Sequence, residues 1–178
     1  MNKLILCEGA TDAILLSYYL ERTAGWKFVR QPPQGVSIRA TEQNEEVTWY
    51  KKHNDYLLIC AVGGKDNFGK FFDDKIQKPL VMSDAFEKIA IVTDRDNREV
   101  SEIETEASAF LKVPCGTIKN NQWNDCSYTN KFRMEKTFSA LLVVIPHEQQ
   151  GALETAMLAA IAEDPYDKSI VEKTGAFA

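Results

Sequence analysis

The chain has 178 residues, an apolar fraction of 44% and a formal net charge of -5. That length sets one domain, residues 1–178, as the default, and the apolar content suffices for a sizeable core. The acidic balance excludes a surface that coats nucleic acid nonspecifically, since such binding rests on clustered Lys and Arg, although it leaves room for a local basic groove.

Lys3 to Cys7 reads as a short buried strand. It is too short for a secretory h-region and is followed by no cleavage site. Thr11 or Asp12 can cap the helix that follows, which carries Ala13, Leu16 and Leu20 on one side and ends before Gly25. Trp26 to Arg30 reads as a strand and Gln31 to Gly35 as a turn or loop. Glu42 to His53 is polar around Val47, Trp49 and Tyr50, and reads as a helix or an excursion. Tyr56 to Val62 is a strand ended by Gly63-Gly64. Helices are expected over Asn67 to Lys75 and over Leu80 to Phe86, with Pro79 near the start of the second.

Lys88 to Thr93 is a third strong strand, and Glu99 to Leu111 a helix whose acidic first part suits the helix dipole. Pro114 to Asn130 reads as a loop with an edge hairpin. Phe138 to Ile145 is a fourth strand, and Gly151 to Asp164 a helix, so residues 137–164 form a C-terminal strand and helix. Tyr166 to Ala178 carries no clear signal, which leaves room for a longer natural C-terminus. No segment approaches the ~20 apolar residues of a membrane helix.

The four cysteines, at 7, 60, 115 and 126, form no CxxC, and the two histidines stand far from them, so a zinc site is not expected. Cys7 and Cys60 read as buried thiols. Cys115 and Cys126 could pair, but a reducing cytoplasm is the natural reading. His53 and His147 read as surface residues. Trp26, Trp49, Trp123 and the set Phe68, Phe71 and Phe72 read as core or lid packing. Lys131, Arg133 and Lys136, with Phe132, form a small basic stretch: a solvated flank, or a contact for a phosphate backbone.

Strands alternating with helices predict an α/β fold: a mainly parallel sheet of about four or five strands with helices on both faces. In such folds ligands gather at the carboxyl ends of the strands. Glu8, Gly63-Gly64-Lys65, Asp94 and Asp96 all stand at such ends. Acids brought together there repel one another unless a divalent cation or bound protons offset the charge. Taken singly, Asp94-Arg95-Asp96-Asn97 reads as a solvated turn, Lys65 as a turn lysine and Glu154 as an exposed helix residue. Order and strand context together favour a site.

Glu8-Gly9 with Asp12, and Asp94-Arg95-Asp96 after an apolar strand, resemble the Toprim domain family over residues 1–111. Its signature is a Glu after the first strand and an Asp-x-Asp after a later one. Within that family the chain looks closest to stand-alone Toprim-like proteins and the overcoming-lysogenization-defect nucleases. Asp12 matches the second acid of that branch, Gly63-Gly64-Lys65 its glycine-lysine turn, and Glu154 a late acid.

The resemblance implies a nuclease, or nuclease subunit, with one or two Mg2+ or Mn2+ ions. Glu8, Asp12, Asp94, Asp96 and Glu154 would be the metal ligands. Glu8 would also act as general acid or base, and Lys65 would neutralise charge on the phosphoryl group. Gly9, Gly64 and Lys65 would meet the substrate, with Gly9 leaving space for it, while Arg95 would either point away or touch phosphate as a substrate ligand. Nucleic acid, DNA or RNA, is the implied partner. The assemblies to test for are a pairing with an ATPase and a homodimer.

Two other readings stand beside this one. A non-catalytic binding or regulatory module would keep the fold and suit the acidic balance. A haloacid-dehalogenase-type phosphatase also carries Asp-x-Asp after a strand. There the motif usually lies on the first strand, followed by Thr or Val, whereas here it lies on a later one, followed by Asn97 and Arg98. That reading also leaves Glu8-Gly9 unexplained. A dinucleotide-binding fold lacks its glycine fingerprint.

Overall fold

The computed structural model describes residues 2–111, 117–164 and 168. Seven strands form one mixed sheet: β1 (Asn2–Cys7), β2 (Lys27–Val29), β3 (Glu46–Lys52), β4 (Asp55–Ala61), β5 (Lys88–Asp94), β6 (Trp123–Thr129) and β7 (Glu135–Ile145), in the order β2-β3-β4-β1-β5-β7-β6. The four central strands, β4-β1-β5-β7, run parallel. The three outer pairings are antiparallel. The α/β class holds, but the expectation of a mainly parallel sheet of about four or five strands is corrected: the sheet has seven strands and half of its pairings are antiparallel.

Buried positions alternate along β1 as the two-residue period of a strand requires. Leu4 and Leu6 join one core cluster, whereas Ile5 and Cys7 face the other. Helix α1 (Ala10–Ala24) covers the second cluster with Ala13, Leu16 and Leu20. A helical run covers the first. It starts as a 3-10 turn (Lys65–Asn67) and continues through α2 (Phe68–Phe71), a π turn (Phe72–Ile76) and α3 (Gln77–Ser83). Phe68, Phe71, Phe72, Ile76 and Leu80 point from it into the core, joined by Ile103 and Ala107 of α4 (Val100–Phe110). The run is nearly continuous, so the break expected between residues 75 and 80 is absent. Pro79 follows closely on the π turn inside this run, and Ala85 and Phe86 are buried beyond the helix end.

The segment 42–53 is the clearest correction. It is no helix: Val47 and Trp49 face one side and Tyr50 the other, and the strand pairs with β4 through the two-residue loop His53-Asn54. The 114–130 segment likewise contains β6, which pairs with a β7 longer than expected. Trp26 and Trp49 are buried as anticipated, but Trp123 is 50% exposed on edge strand β6, with Lys88 Nζ 4.7 Å from its ring centroid. Lys131, Phe132 and Arg133 are exposed, and Lys136 lies 3.7 Å from Asp84.

Cys7 and Cys60 are buried free thiols, and burial pushes both thiols up. Cys126 is disulfide-bonded, against the expectation of reduced cysteines throughout, while Cys115 lies outside the described residues. Most of the Tyr166 to Ala178 stretch lies outside them too. Among the described residues, no helix is long and apolar enough to cross a membrane.

Candidate functional site at the carboxyl edge of the sheet

Because β4, β1, β5 and β7 are parallel, their carboxyl ends share one edge. From β1 the chain leaves to one face through α1, whereas from β4 and β5 it leaves to the other through the helical run and α4. β1 therefore lies between two strands whose connections depart oppositely. Such a switch point opens a crevice outside the strand ends. Glu8 is the first residue past β1, and Asp94 is the last of β5.

Glu8 is fixed by its neighbours. Its Oε1 accepts a hydrogen bond from the Asp94 N–H (2.9 Å) and another from the Thr93 hydroxyl (2.5 Å). Its carbonyl oxygen accepts from the N–H groups of Gly63 (3.0 Å) and Gly64 (2.9 Å), so the same residue holds the glycine turn after β4. Asp12 Oδ2 accepts from the Gly9 N–H at 2.8 Å, which closes the start of α1. Gly9, rather than Thr11 or Asp12, is the N-cap residue.

Asp94 Oδ1 accepts from the Leu153 N–H (2.9 Å), the first residue of α5 (Leu153–Ile161). Burial raises the Asp94 carboxyl to about 6, and the charges of Glu8, Asp12 and Glu154 add to the rise against that hydrogen bond. Asp12 moves up for the same reasons, burial first and then Glu154. Four of the five expected acids thus feel one another at one edge.

The fifth does not join them. Asp96 Oδ2 is paired with Lys65 Nζ, and that bond, ahead of the burial that opposes it, holds the lysine above its usual range. Asp96 has φ of 52°, and its backbone exchanges hydrogen bonds with Gly151 (2.6 and 2.8 Å). Gly151 is required there, since a Cβ would lie 2.7 Å from Thr155 Oγ1 at φ 141°. Asp96 and Lys65, expected to serve metal and phosphate separately, neutralise each other.

Arg95 takes the first of its two expected placements. Its guanidinium donates to the carbonyls of Arg98 (3.1 Å) and His147 (3.0 Å) and lies 3.7 Å from Glu99, so it clamps the turn rather than facing the crevice as a substrate ligand. His147 is exposed, and its Nδ1 is 2.9 Å from the Asn120 amide. Among the described residues, no group of three or more His, Cys, Asp or Glu side chains is arranged to hold a metal ion as it stands. The acids share an edge without forming a finished coordination shell.

The turn glycines differ in what they do. Gly64, at φ 119° and ψ 152°, occupies a region essentially reserved for glycine. Gly9 has ordinary extended backbone, and a Cβ there would meet only Asp12 Oδ2, at 3.7 Å. Gly64→Ala should therefore cost about 1–3 kcal/mol of stability. Gly9→Ala replaces a good N-cap residue by a poor one and should cost about 0.5–1 kcal/mol, so a loss of activity in the folded variant reports lost room at the crevice. Urea unfolding midpoints of the two variants check this.

The sequence reading missed Thr93, Gly151 and Arg98. Thr93 was visible only as the end of a strand, and Gly151 only as a helix-start glycine.

No family model matches the chain, and no curated protein does. Among solved structures, the chain is similar to the crystal structure of hypothetical protein PH0156 from Pyrococcus horikoshii OT3. The TM-score is 0.64 at 18% identity, over 98% of this chain and 74% of that one, which shows a shared fold. A lactoylglutathione lyase from Agrobacterium tumefaciens aligns over 79% of this chain and 92% of its own, with a TM-score of 0.24 at 14% identity, below the level at which two chains share a fold.

Proposed function

We propose that the chain is a Toprim-like, divalent-cation-dependent phosphodiesterase acting on nucleic acid, a nuclease or nuclease subunit. The observation that carries this reading is the convergence of Glu8, Asp12, Asp94 and Glu154 on the edge next to β1, close enough that three of them raise the Asp94 carboxyl. These side chains offer only oxygen donors, the chemistry that Mg2+ and Mn2+ prefer. The nearby cation, Lys65, is engaged by Asp96. The donor set therefore fits a hard cation chemically, with Glu8 and Asp94 each held through one carboxylate oxygen and offering the other.

Asp94 and Glu8 would hold the ion, with Asp12 and Glu154 beside them. Such an ion supplies Lewis acidity and a more acidic bound water. The chain's own groups do the rest. Thr93 and the Asp94 N–H hold Glu8 in place, which suits it to take or return a proton. Lys65, released from Asp96 by an incoming phosphate, neutralises charge developing on the phosphoryl oxygens. The Gly63-Gly64 turn, which leads into that lysine, is tied to the Glu8 carbonyl, so the lysine is placed relative to Glu8.

Purified protein should nick supercoiled plasmid or cleave structured RNA with Mg2+ or Mn2+, and should stop when EDTA is added. The alternative of a passive binding module draws on the Lys65–Asp96 pair, which leaves the edge partly self-neutralised. Cation binding by calorimetry, with neither nucleic acid cut, would select that module. The phosphatase reading gains nothing from the hold that Glu8 has on the Asp94 N–H.

A further inference from the structure

A cavity of about 300 Å³ opens beside the acidic edge, on the face covered by α2 and α4. Its floor is apolar: Ile91 of β5, Leu142 of β7 and Ile103 of α4. Its walls include Phe68 and Phe110, whose rings stack at 5.7 Å with only 9° between their planes. Gly69 lets the two helices approach closely, since a Cβ there would lie 3.3 Å from Phe110 Cβ. The mouth is polar and of mixed charge, with Lys65, Arg98 and Thr93 beside the acids Asp66 and Glu106. Lys65 and Thr93 also belong to the acidic edge, through Asp96 and Glu8 respectively. Arg98 places one guanidinium nitrogen on Glu106 (2.7 Å) and has further N–H groups for an anion.

The volume lies at the lower limit for small-molecule pockets, so it suits one ring system rather than an extended ligand. An apolar slot with one aromatic wall suits a flat ring, and Lys65 and Arg98, which now pair with Asp96 and Glu106, can exchange those acids for an anionic group on the ring. We propose that this cavity takes the base of a nucleotide while Lys65 and Arg98 hold the attached phosphate. The choice of a nucleotide over other aromatic anions rests on reading the acidic edge as a phosphodiester site. The cavity would then place one nucleotide of the substrate against that edge.

Calorimetry in EDTA with AMP, GMP, CMP and UMP tests the proposal, with ribose 5-phosphate, the four nucleosides and benzoate as controls. At least one nucleotide should bind about tenfold or more tightly than its nucleoside, than the sugar phosphate and than benzoate, as expected if ring and phosphate are both recognised. Ala109 is exposed and lines the cavity, so Ala109→Trp should fill the slot without disturbing the core. That variant should weaken nucleotide binding about tenfold or more, and Arg98→Ala should weaken the nucleotide while sparing its nucleoside. Failure of all four nucleotides to bind, unchanged affinity in Ala109→Trp with a native thermal melt, or benzoate binding equally well would each overturn the proposal. Mn2+ titration of the same proteins in EDTA-free buffer reads the acidic edge separately. Retained Mn2+ binding with no nucleotide binding would remove the base pocket alone, whereas loss of both would remove the phosphodiester reading as well.

Discussion

Glu8→Gln and Asp94→Asn should each lower Mg2+-dependent cleavage about a thousandfold or more, the scale of several kcal/mol of transition-state stabilisation. Both changes keep the size of the side chain and remove a negative charge. Glu8→Gln leaves a side-chain oxygen that can still accept from Thr93 and the Asp94 N–H, and it does not touch the backbone carbonyl that anchors the turn after β4. Asp94→Asn should also make the protein more stable near neutral pH without cation, because it removes a carboxylate pressed by Glu8, Asp12 and Glu154. A variant both more stable and inactive separates a chemical role from a structural one. Plasmid nicking and urea unfolding measured on the same preparation check the pair. Wild-type activity in both variants would remove the acids from the chemistry.

Lys65→Ala is expected to fall between these extremes. It should lower cleavage by about 10²–10³, as loss of one electrostatic stabiliser does, and leave Asp96 without its partner. The double change Lys65→Ala with Asp96→Ala tells pairing from catalysis. Recovery in the double variant would mean that the lysine only neutralises Asp96. Single-turnover rates of the three proteins decide it.

The central strands were legible because each joins a short apolar run to an abrupt polar stop: Leu4 to Cys7 before Glu8, and Ile89 to Thr93 before Asp94. Strands buried on both faces carry that signal directly. The edges were harder, because each β3 and β6 side has a different neighbour. In β6 only Cys126 and Tyr128 are fully buried, and the exposed Trp123 and Asp125 alternate with less exposed residues on the other face, so composition reads as a loop. In β3 the alternation was present, but Glu and Lys at its ends concealed it.

The same distinction applies to the site. Positions at strand ends follow from topology, and Glu8, Asp12, Asp94 and Glu154 do share an edge. Which way a side chain turns does not. The Lys65–Asp96 pair joins residues 31 apart, and Arg95 closes on carbonyls brought in by the chain after β7. Those contacts depend on where Gly151 returns the backbone to Asp96, a placement that no local pattern encodes.

Stability should decline as pH rises through about 6 in the absence of divalent cation, and added Mn2+ should reverse the decline only on the alkaline side. The sign comes from Asp94. Its folded carboxyl titrates near 6, against an ordinary 3.8. Between those values the unfolded chain has lost the proton that the folded chain still holds, so proton binding favours the fold. The contribution is complete below the ordinary value and disappears as pH passes the folded one. Asp12, also raised, acts in the same direction. Glu45 and Glu104, held low by Lys75 and Lys119 against burial, act oppositely, but their stabilisation is lost only at more acidic pH. Above 6 the ionised carboxyl would complete the proposed cation site, and a ligand at 100 times its Kd adds about 2.7 kcal/mol. Thermal melts at pH 5 and pH 7.5, with and without Mn2+, should therefore show a cation-dependent rise at the higher pH and little at the lower. Asp94→Asn should flatten both responses. An equal Mn2+ effect at the two pH values, or one that survives in Asp94→Asn, would place the ion elsewhere and leave the acidic edge as a charge cluster without a cation.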